Sequence, residues 1–401
     1  MQSAQSRQGL ISFGFIVLSL VCFLAFCNIS IFYGFNVYME RIGVSPEWRG
    51  LLLGLESAAA LVFRPIISPF LTPRNGLRAA GLGLGLVMAA LTSYQWAEGL
   101  WGLAVVRMVH GLGFVLLISA VVAVMVIFIP QGRSGQAFGV FAVTSLLPYA
   151  VLPPLVERLL PLVGNEAHVY AMAAPLLLPA MLLLWPLGMR VRRMIRFLPS
   201  RATARPGFGE IAAGLRAPGV SRLLVANFLF YTSTTVVFFY MKNHLQELNA
   251  GNPGLFFSIS TGATIFVRVV CGALLDRGNK ATLLAIFLGL LALCMVLFAL
   301  ASQPDFILAL AAVYGICLGF IFPLFSSAMF DVSPQHLRGV NTNVMLSAMD
   351  GGYVLGPVLA GMFLAYGLES SELFFVFAVL PVLAALVVRS LIGSILRESS
   401  A

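Results

Sequence analysis

The chain has 401 residues, of which 60% are hydrophobic and only 10% charged, with a mean hydropathy of +0.98. Soluble domains carry about 25% charged residues, so a water-soluble globular protein is excluded and a bilayer-embedded one is implied. The net charge of +9 does not point to nucleic acid, because eight arginines crowd into one connecting segment, Arg190 to Arg222, against a single acid, Glu210; such a cluster marks a cytoplasmic loop of a membrane protein.

A helix needs roughly 20 mostly apolar residues to cross about 30 Å of hydrocarbon, whereas barrel strands show short alternating segments. The runs here are long, so the spans are helical. Arg7 precedes the first, 10–38, which is too long for the core of a secretory leader and is read as a span. Spans two to six are expected at 48–71, 77–97, 100–129, 135–160 and 167–189. Pro65, Pro69 and Pro73, spaced four apart, predict that the end of span two is bent or broken. Spans seven to twelve follow at 222–242, 254–275, 280–301, 305–330, 340–367 and 371–393. The organisation is therefore a bundle over 1–189, a basic linker over 190–221 and a second bundle over 222–401. With the linker inside, six spans on either side put both termini in the cytoplasm. Most Lys and Arg then lie inside, while Arg41, Arg49, Arg158 and Lys242 fall in outside segments. Cys22, Cys27, Cys271, Cys294 and Cys317 all sit in apolar segments without metal-ligand spacing, so they are packing residues and neither metal nor cofactor is expected.

The two bundles repeat at an offset of about 204 residues. "VFRPIISPFL" from Val62 aligns with "FVRVVCGALL" from Phe266, making Arg64 and Arg268 counterparts; "YME" at Tyr38 echoes "YMK" at Tyr240. Two six-helix repeats in the same orientation suggest a carrier.

"GALLDRGNK" after span eight, "RMVHGLGF" from Arg107 in span four and "GGYVLGPVLAG" from Gly351 in span eleven are similar to motifs of the Major Facilitator Superfamily, in their order along a twelve-span chain. The resemblance covers essentially the whole chain. It implies an all-α integral membrane fold of two pseudo-symmetric six-helix bundles, in the bacterial cytoplasmic (inner) membrane. It also implies a cytoplasmic gate at Gly272, Asp276 and Arg277, where paired charges latch helix ends in one conformation. The first-half copy of that gate, "SPFLTPRNGLR", has Pro73 where the acid is expected, so the latch leans on Asp276.

Five ionisable residues fall inside the predicted spans: Glu56, Arg64, Arg107, Arg268 and Asp350. Each costs about 2.5 to 3.5 kcal/mol at the bilayer centre, so they should face the interior. Glu56 and Arg64 share a helical face but stand roughly 12 Å apart along the axis, too far to pair. Because the resemblance brings spans two and eleven together, Asp350 is the expected partner of Glu56 or Arg64. Glu56 and Asp350 are candidates for proton binding, since burial favours the neutral acid and an adjacent guanidinium favours the carboxylate; static inter-helix ion pairs are the alternative reading. Arg107, with His110 where the superfamily pattern often has glutamine, is implied in the same proton transfer. Arg268 and Arg64 can each hold a carboxylate or phosphate through two parallel hydrogen bonds. The resemblance puts spans one, four, seven and ten around the solute, which nominates Asn28, Tyr33, Asn36, Asn227, Tyr231 and Tyr314 as lining.

The reading is a secondary transporter, proton-coupled and moving a small organic solute, anionic and carboxylate-bearing by preference, by alternating access. Its partners are then the solute, protons and lipid, with no nucleic acid and a monomeric state. A proton-antiport exporter of drugs, sugars or siderophores is the alternative, and a non-transporting sensor on a carrier fold the alternative of another class. An enzyme is not expected: the four histidines form no cluster with carboxylates, and no nucleophile elbow or phosphate loop occurs.

Overall fold

A computed structural model describes residues 12–128, 134–195, 209, 214–215, 218–270, 279–334 and 337–398. Among them the regular secondary structure is entirely helical. Helix α1 (Phe13–Ser30) starts at Ser12, whose hydroxyl accepts from the Phe15 N–H, and passes through a 3-10 turn into α2 (Phe35–Arg41). Then come α3 (Pro46–Ile67), α4 (Gly76–Ser93), α5 (Gly99–Met125) and α6 (Ser134–Val163). Span six is α7 (Glu166–Ala173), a 3-10 turn and α8 (Leu178–Ile195). The second half contributes α9 (Pro218–Glu247), α10 (Leu255–Val270), α11 (Lys280–Leu300), α12 (Pro304–Val332), α13 (Arg338–Ala365), α14 (Ser370–Phe377) and α15 (Val379–Glu398).

Eleven described helical stretches are long and apolar enough to cross a bilayer; α10, the twelfth, is shorter at 16 residues. The prolines act where the sequence suggests. Helix α3 carries Pro65 in its last turn, stops at Ile67 and becomes a 3-10 turn over Ser68–Phe70. By contrast α6 remains one helix through Pro148, Pro153, Pro154 and Pro161.

The chain forms two compact units, Met1–Phe32 with Leu55–Ala202 and Tyr33–Gly54 with Thr203–Ala401. In the first, α4 packs along α5, and α1 along α6. In the second, α9 packs on α13 and α15, α10 on α12, and α11 on α12 and α15. The early segment belongs to this second unit because α2 lies against α9 and Gly50 meets Gly361 and the Pro357 carbonyl of α13 at backbone distance.

Lys242 lies within α9, which runs on to Glu247, and its side chain is fully buried. Gly34 makes room for it, and its ammonium stands 5.2 Å from the Tyr33 ring centre. Arg49 is likewise only 7% exposed, because it turns towards Glu40. Cys22, Cys27, Cys294 and Cys317 are free and buried among apolar neighbours, while Cys271 lies outside the described residues.

Candidate functional site

Within the first unit, the buried ion site is made by one close helix crossing. Gly111 of α5 lies against the backbone of α3: a Cβ there would stand 2.5 Å from the Glu56 carbonyl oxygen and 2.8 Å from Ala59. Only glycine allows that approach. One turn earlier on α5, fully buried Arg107 therefore meets the Glu56 side chain, with Nη1 2.8 Å from Oε2. The contact has ion-pair distance without hydrogen-bond alignment. The guanidinium also stands 5.2 Å from the centre of Phe32, whose other contacts include a stacked Tyr170 ring at 4.1 Å.

His110 continues the polar patch. The Asn28 amide N–H donates to the Ala25 carbonyl, which turns Oδ1 towards His110 Nε2 at 2.7 Å. Nε2 is thus the donor to Asn28. In the neutral ring this leaves Nδ1 to accept from the Tyr94 hydroxyl at 3.3 Å. Glu56, Arg107, His110 and Asn28 are accordingly one neighbourhood, although Glu56 takes its ionic partner from α5 of its own unit. The spacing of span two gives no hint of that partner, since Gly111 is what brings the two helices together. Arg64 is half-buried near the end of α3.

The second unit gathers another set. Arg268 on α10 has its guanidinium 5.1 Å from the Phe322 ring of α12. Phe322 packs on Tyr231 of α9 at 5.3 Å, and Tyr231 on Tyr353 of α13, also at 5.3 Å. Asp350, one turn before Tyr353 and 4% exposed, is close enough to influence both tyrosines electrostatically. Arg268 makes no ion pair with a described carboxylate, and its Nε is buried without a hydrogen-bond acceptor among the described residues. A guanidinium held on an aromatic face with an unmatched N–H is chemically suited to an anion.

The remaining nominated residues scatter. Asn227 donates to the Met345 carbonyl and straps α9 to α13. Tyr314 sits among Phe256 and Phe298, and Tyr33 against Phe257. Asn36 donates to Asn243, which donates to Glu40. Gly272, Asp276 and Arg277 lie outside the described residues. Sequence reasoning missed Lys242, His244 and Glu166 as buried ionisable groups, because each stands within a turn of a span boundary, where charge is read as the boundary itself.

The sequence profile of the Major Facilitator Superfamily matches residues 18–345, and a second alignment covers 223–398. The chain belongs to the Major Facilitator Superfamily. The fold agrees with that membership. The nucleoside transporter NupG superimposes with a TM-score of 0.76 at 14% identity, covering 94% of this chain and 99% of that one. A peptide transporter, POT, in complex with sulfate gives 0.72 at 15% identity, with 98% of each chain covered. At these identities the likeness shows the superfamily's fold alone. Among curated proteins, quinolone resistance protein NorA of Staphylococcus aureus (strain MRSA252) is 24% identical over 136 residues, 33% of this chain and 35% of NorA. The match spans about a third of the relative's length. The superfamily is one of multi-pass secondary transporters and not of enzymes.

Proposed function

We propose that this transporter is proton-coupled and moves a small organic anion, with a carboxylate as the preferred group. The single observation that carries the anion is Arg268, a half-buried cation whose Nε is buried without an acceptor and which has no carboxylate partner among the described residues, beside Phe322, which packs on Tyr231. Its counterpart Arg64 and the residues Asn28, Tyr33, Asn36, Asn227, Tyr231 and Tyr314 complete the proposed lining. The proton is assigned to Glu56 and Asp350, with Arg107 and His110 setting the balance around Glu56. Protonation of Glu56 removes the charge that holds Arg107, which frees the α3–α5 contact to rearrange. The bundles 1–189 and 222–401, joined by 190–221, rock around the solute, and Gly272, Asp276 and Arg277 gate the cytoplasmic end. The protein is taken as a monomer of a bacterial inner membrane, and the basic linker supports both termini lying inside.

Counterflow of labelled carboxylates into proteoliposomes, with and without a pH gradient, tests the reading. Wild-type protein is expected to accumulate an acid when the gradient is applied. Arg268→Ala should raise the apparent KM at least tenfold, on the order of the 1.5–3 kcal/mol of a charged hydrogen bond. Exchange indifferent to Arg268→Ala would falsify the anion assignment.

Export is a second reading, favoured by the 136-residue match to a quinolone resistance protein. Under it the aromatic surroundings of Tyr231 and Tyr353 hold a planar drug, and the proton returns inward as the drug leaves. Drug-loaded vesicles that discharge faster on imposing the gradient, with carboxylates inert, would select it.

A further inference from the structure

The second unit contains a cavity of about 480 Å3 that belongs to neither set of buried charges described above. Its mouth carries three exposed carboxylates, Glu40, Glu247 and Glu369. Its floor is formed by Asn36, Arg49 and Ser370, which are 1%, 7% and 7% exposed. The valences inside can be followed one by one. Glu40 Oε2 takes Arg49 Nη1 at 3.1 Å and the Asn243 amide N–H at 2.9 Å. The Asn243 carbonyl takes the Asn36 amide N–H at 3.0 Å. The Ser370 hydroxyl donates to Glu247 Oε1 at 2.7 Å. Two buried atoms of the floor are left over: the carbonyl oxygen of Asn36 has no donor, and Arg49 Nε has no acceptor, among the described residues. Buried polar atoms are nearly always matched, so both invite a ligand.

We infer that this chamber is a binding site for a small organic ammonium compound that carries an oxygen beside its nitrogen, the amino alcohols being the simplest. Three carboxylates against one guanidinium, itself turned to Glu40, make the lining favourable to a cation. A bare metal ion does not suit it, because such an ion needs several converging oxygens, whereas the floor offers one free oxygen next to a positively charged N–H. An ammonium N–H instead donates to Asn36 Oδ1, and its neighbouring oxygen accepts from Arg49 Nε. The volume is within the range of small-molecule sites. On the proposed topology the chamber opens to the exterior. The inference shares Asn36 with the proposed anion lining but does not depend on Arg268, whose helix α10 contributes no residue to the chamber.

The ammonium could come from a free amine or from the ethanolamine headgroup of a phospholipid. Titration calorimetry of the full-length protein with ethanolamine, in lipid-free micelles, tests the shared chemistry. One saturable site is expected. Choline, which has the charge and the oxygen but no N–H, should bind at least about tenfold more weakly, as should ethanolamine to Asn36→Ala and to Glu247→Gln. Glu247 is exposed and glutamine keeps its shape, so this variant carries the test if Asn36→Ala does not fold. Repeating the titration in phosphatidylcholine nanodiscs with and without phosphatidylethanolamine separates the sources. Loss of ethanolamine binding in the mixed nanodiscs assigns the chamber to the headgroup, and unchanged binding assigns it to the free amine. No saturable site in micelles, equal affinity for choline, or wild-type affinity in Glu247→Gln overturns the inference.

Discussion

The crossing of α3 with α5 in the first unit and that of α10 with α12 in the second are built alike and filled differently. Gly111 and Gly315 stand 204 residues apart, and so do Glu56 and Ser260, whose backbones these glycines touch. The repeat has therefore kept the close backbone approach. Around it the side chains diverge: Glu56 and Arg107 in one unit become Ser260 and Ala311 at the same offset in the other. Tyr94 and His110, with ring centres 6.0 Å apart, become Phe298 and Tyr314 at 5.9 Å. The first crossing thus balances a buried charge internally. The second is neutral, and its unit carries a cation two helix turns further on, at Arg268, with no carboxylate partner among the described residues. Helix contacts are the inherited part of this fold, and the placement of charge is where the halves have specialised.

The most severe way to break the comparison is to strip one partner from the first crossing. Glu56→Leu leaves Arg107 charged and fully buried, at a cost of about 3–5 kcal/mol. Denaturant titration in mixed micelles measures it. The double variant Glu56→Ser, Arg107→Ala gives the first unit the residues that the second already carries, and should be less destabilised than the single variant while losing any dependence of transport on the pH gradient. Transport that stays proton-linked in the double variant would remove Glu56 from the coupling and leave the pair as a static strut. Next in size are the glycines. Gly111→Ala and Gly315→Ala should each cost about 1–3 kcal/mol by overpacking, since both new methyl groups run into backbone rather than into side chains that can swing away. Gly111→Ala should in addition disturb proton coupling, because it pushes Glu56 from Arg107; Gly315→Ala has no ion pair to disturb. A similar loss of coupling in both would mean that the crossings act through their packing alone.

The spans were legible because each long apolar run has one plausible state in a bilayer, and the punctuation by proline and charge marks most ends to within a turn. It fails where a charge lies inside a span near its end: Lys242 reads as a boundary, yet α9 goes on for another turn and Gly34 shelters the ammonium. The residues of the ion sites were visible for the same physical reason, that an ionised group in a hydrophobic run is costly. Their partners were not. Glu56 meets Arg107 because the Gly111 contact fixes which helix faces touch, and Asn28 meets His110 across two helices; a single sequence shows such residues without showing what they touch.

The smallest expected effect lies at the foot of the second unit, where the motif that ends in Lys280 leaves one measurable contact. Lys280 Nζ is 2.6 Å from Asp331 Oδ2 and ties the start of α11 to the end of α12. In the first unit the position equivalent to Lys280 is Gly76, which starts α4 against Val124 of α5, so the same junction is made there by close packing. The Lys280 and Asp331 side chains are 23% and 55% exposed, and water and salt screen them. Asp331→Asn should therefore cost no more than about 1 kcal/mol at low salt, and the difference from wild type should vanish near 1 M salt. Gly76→Leu, by contrast, should cost more and show no salt dependence, since a steric conflict with Val124 has no charge to screen. If Asp331→Asn cost several kcal/mol, or if its cost survived high salt, the pair would be bearing a desolvated load like that of Glu56 and Arg107, and the contrast between a charged first crossing and a neutral second one would have to be redrawn.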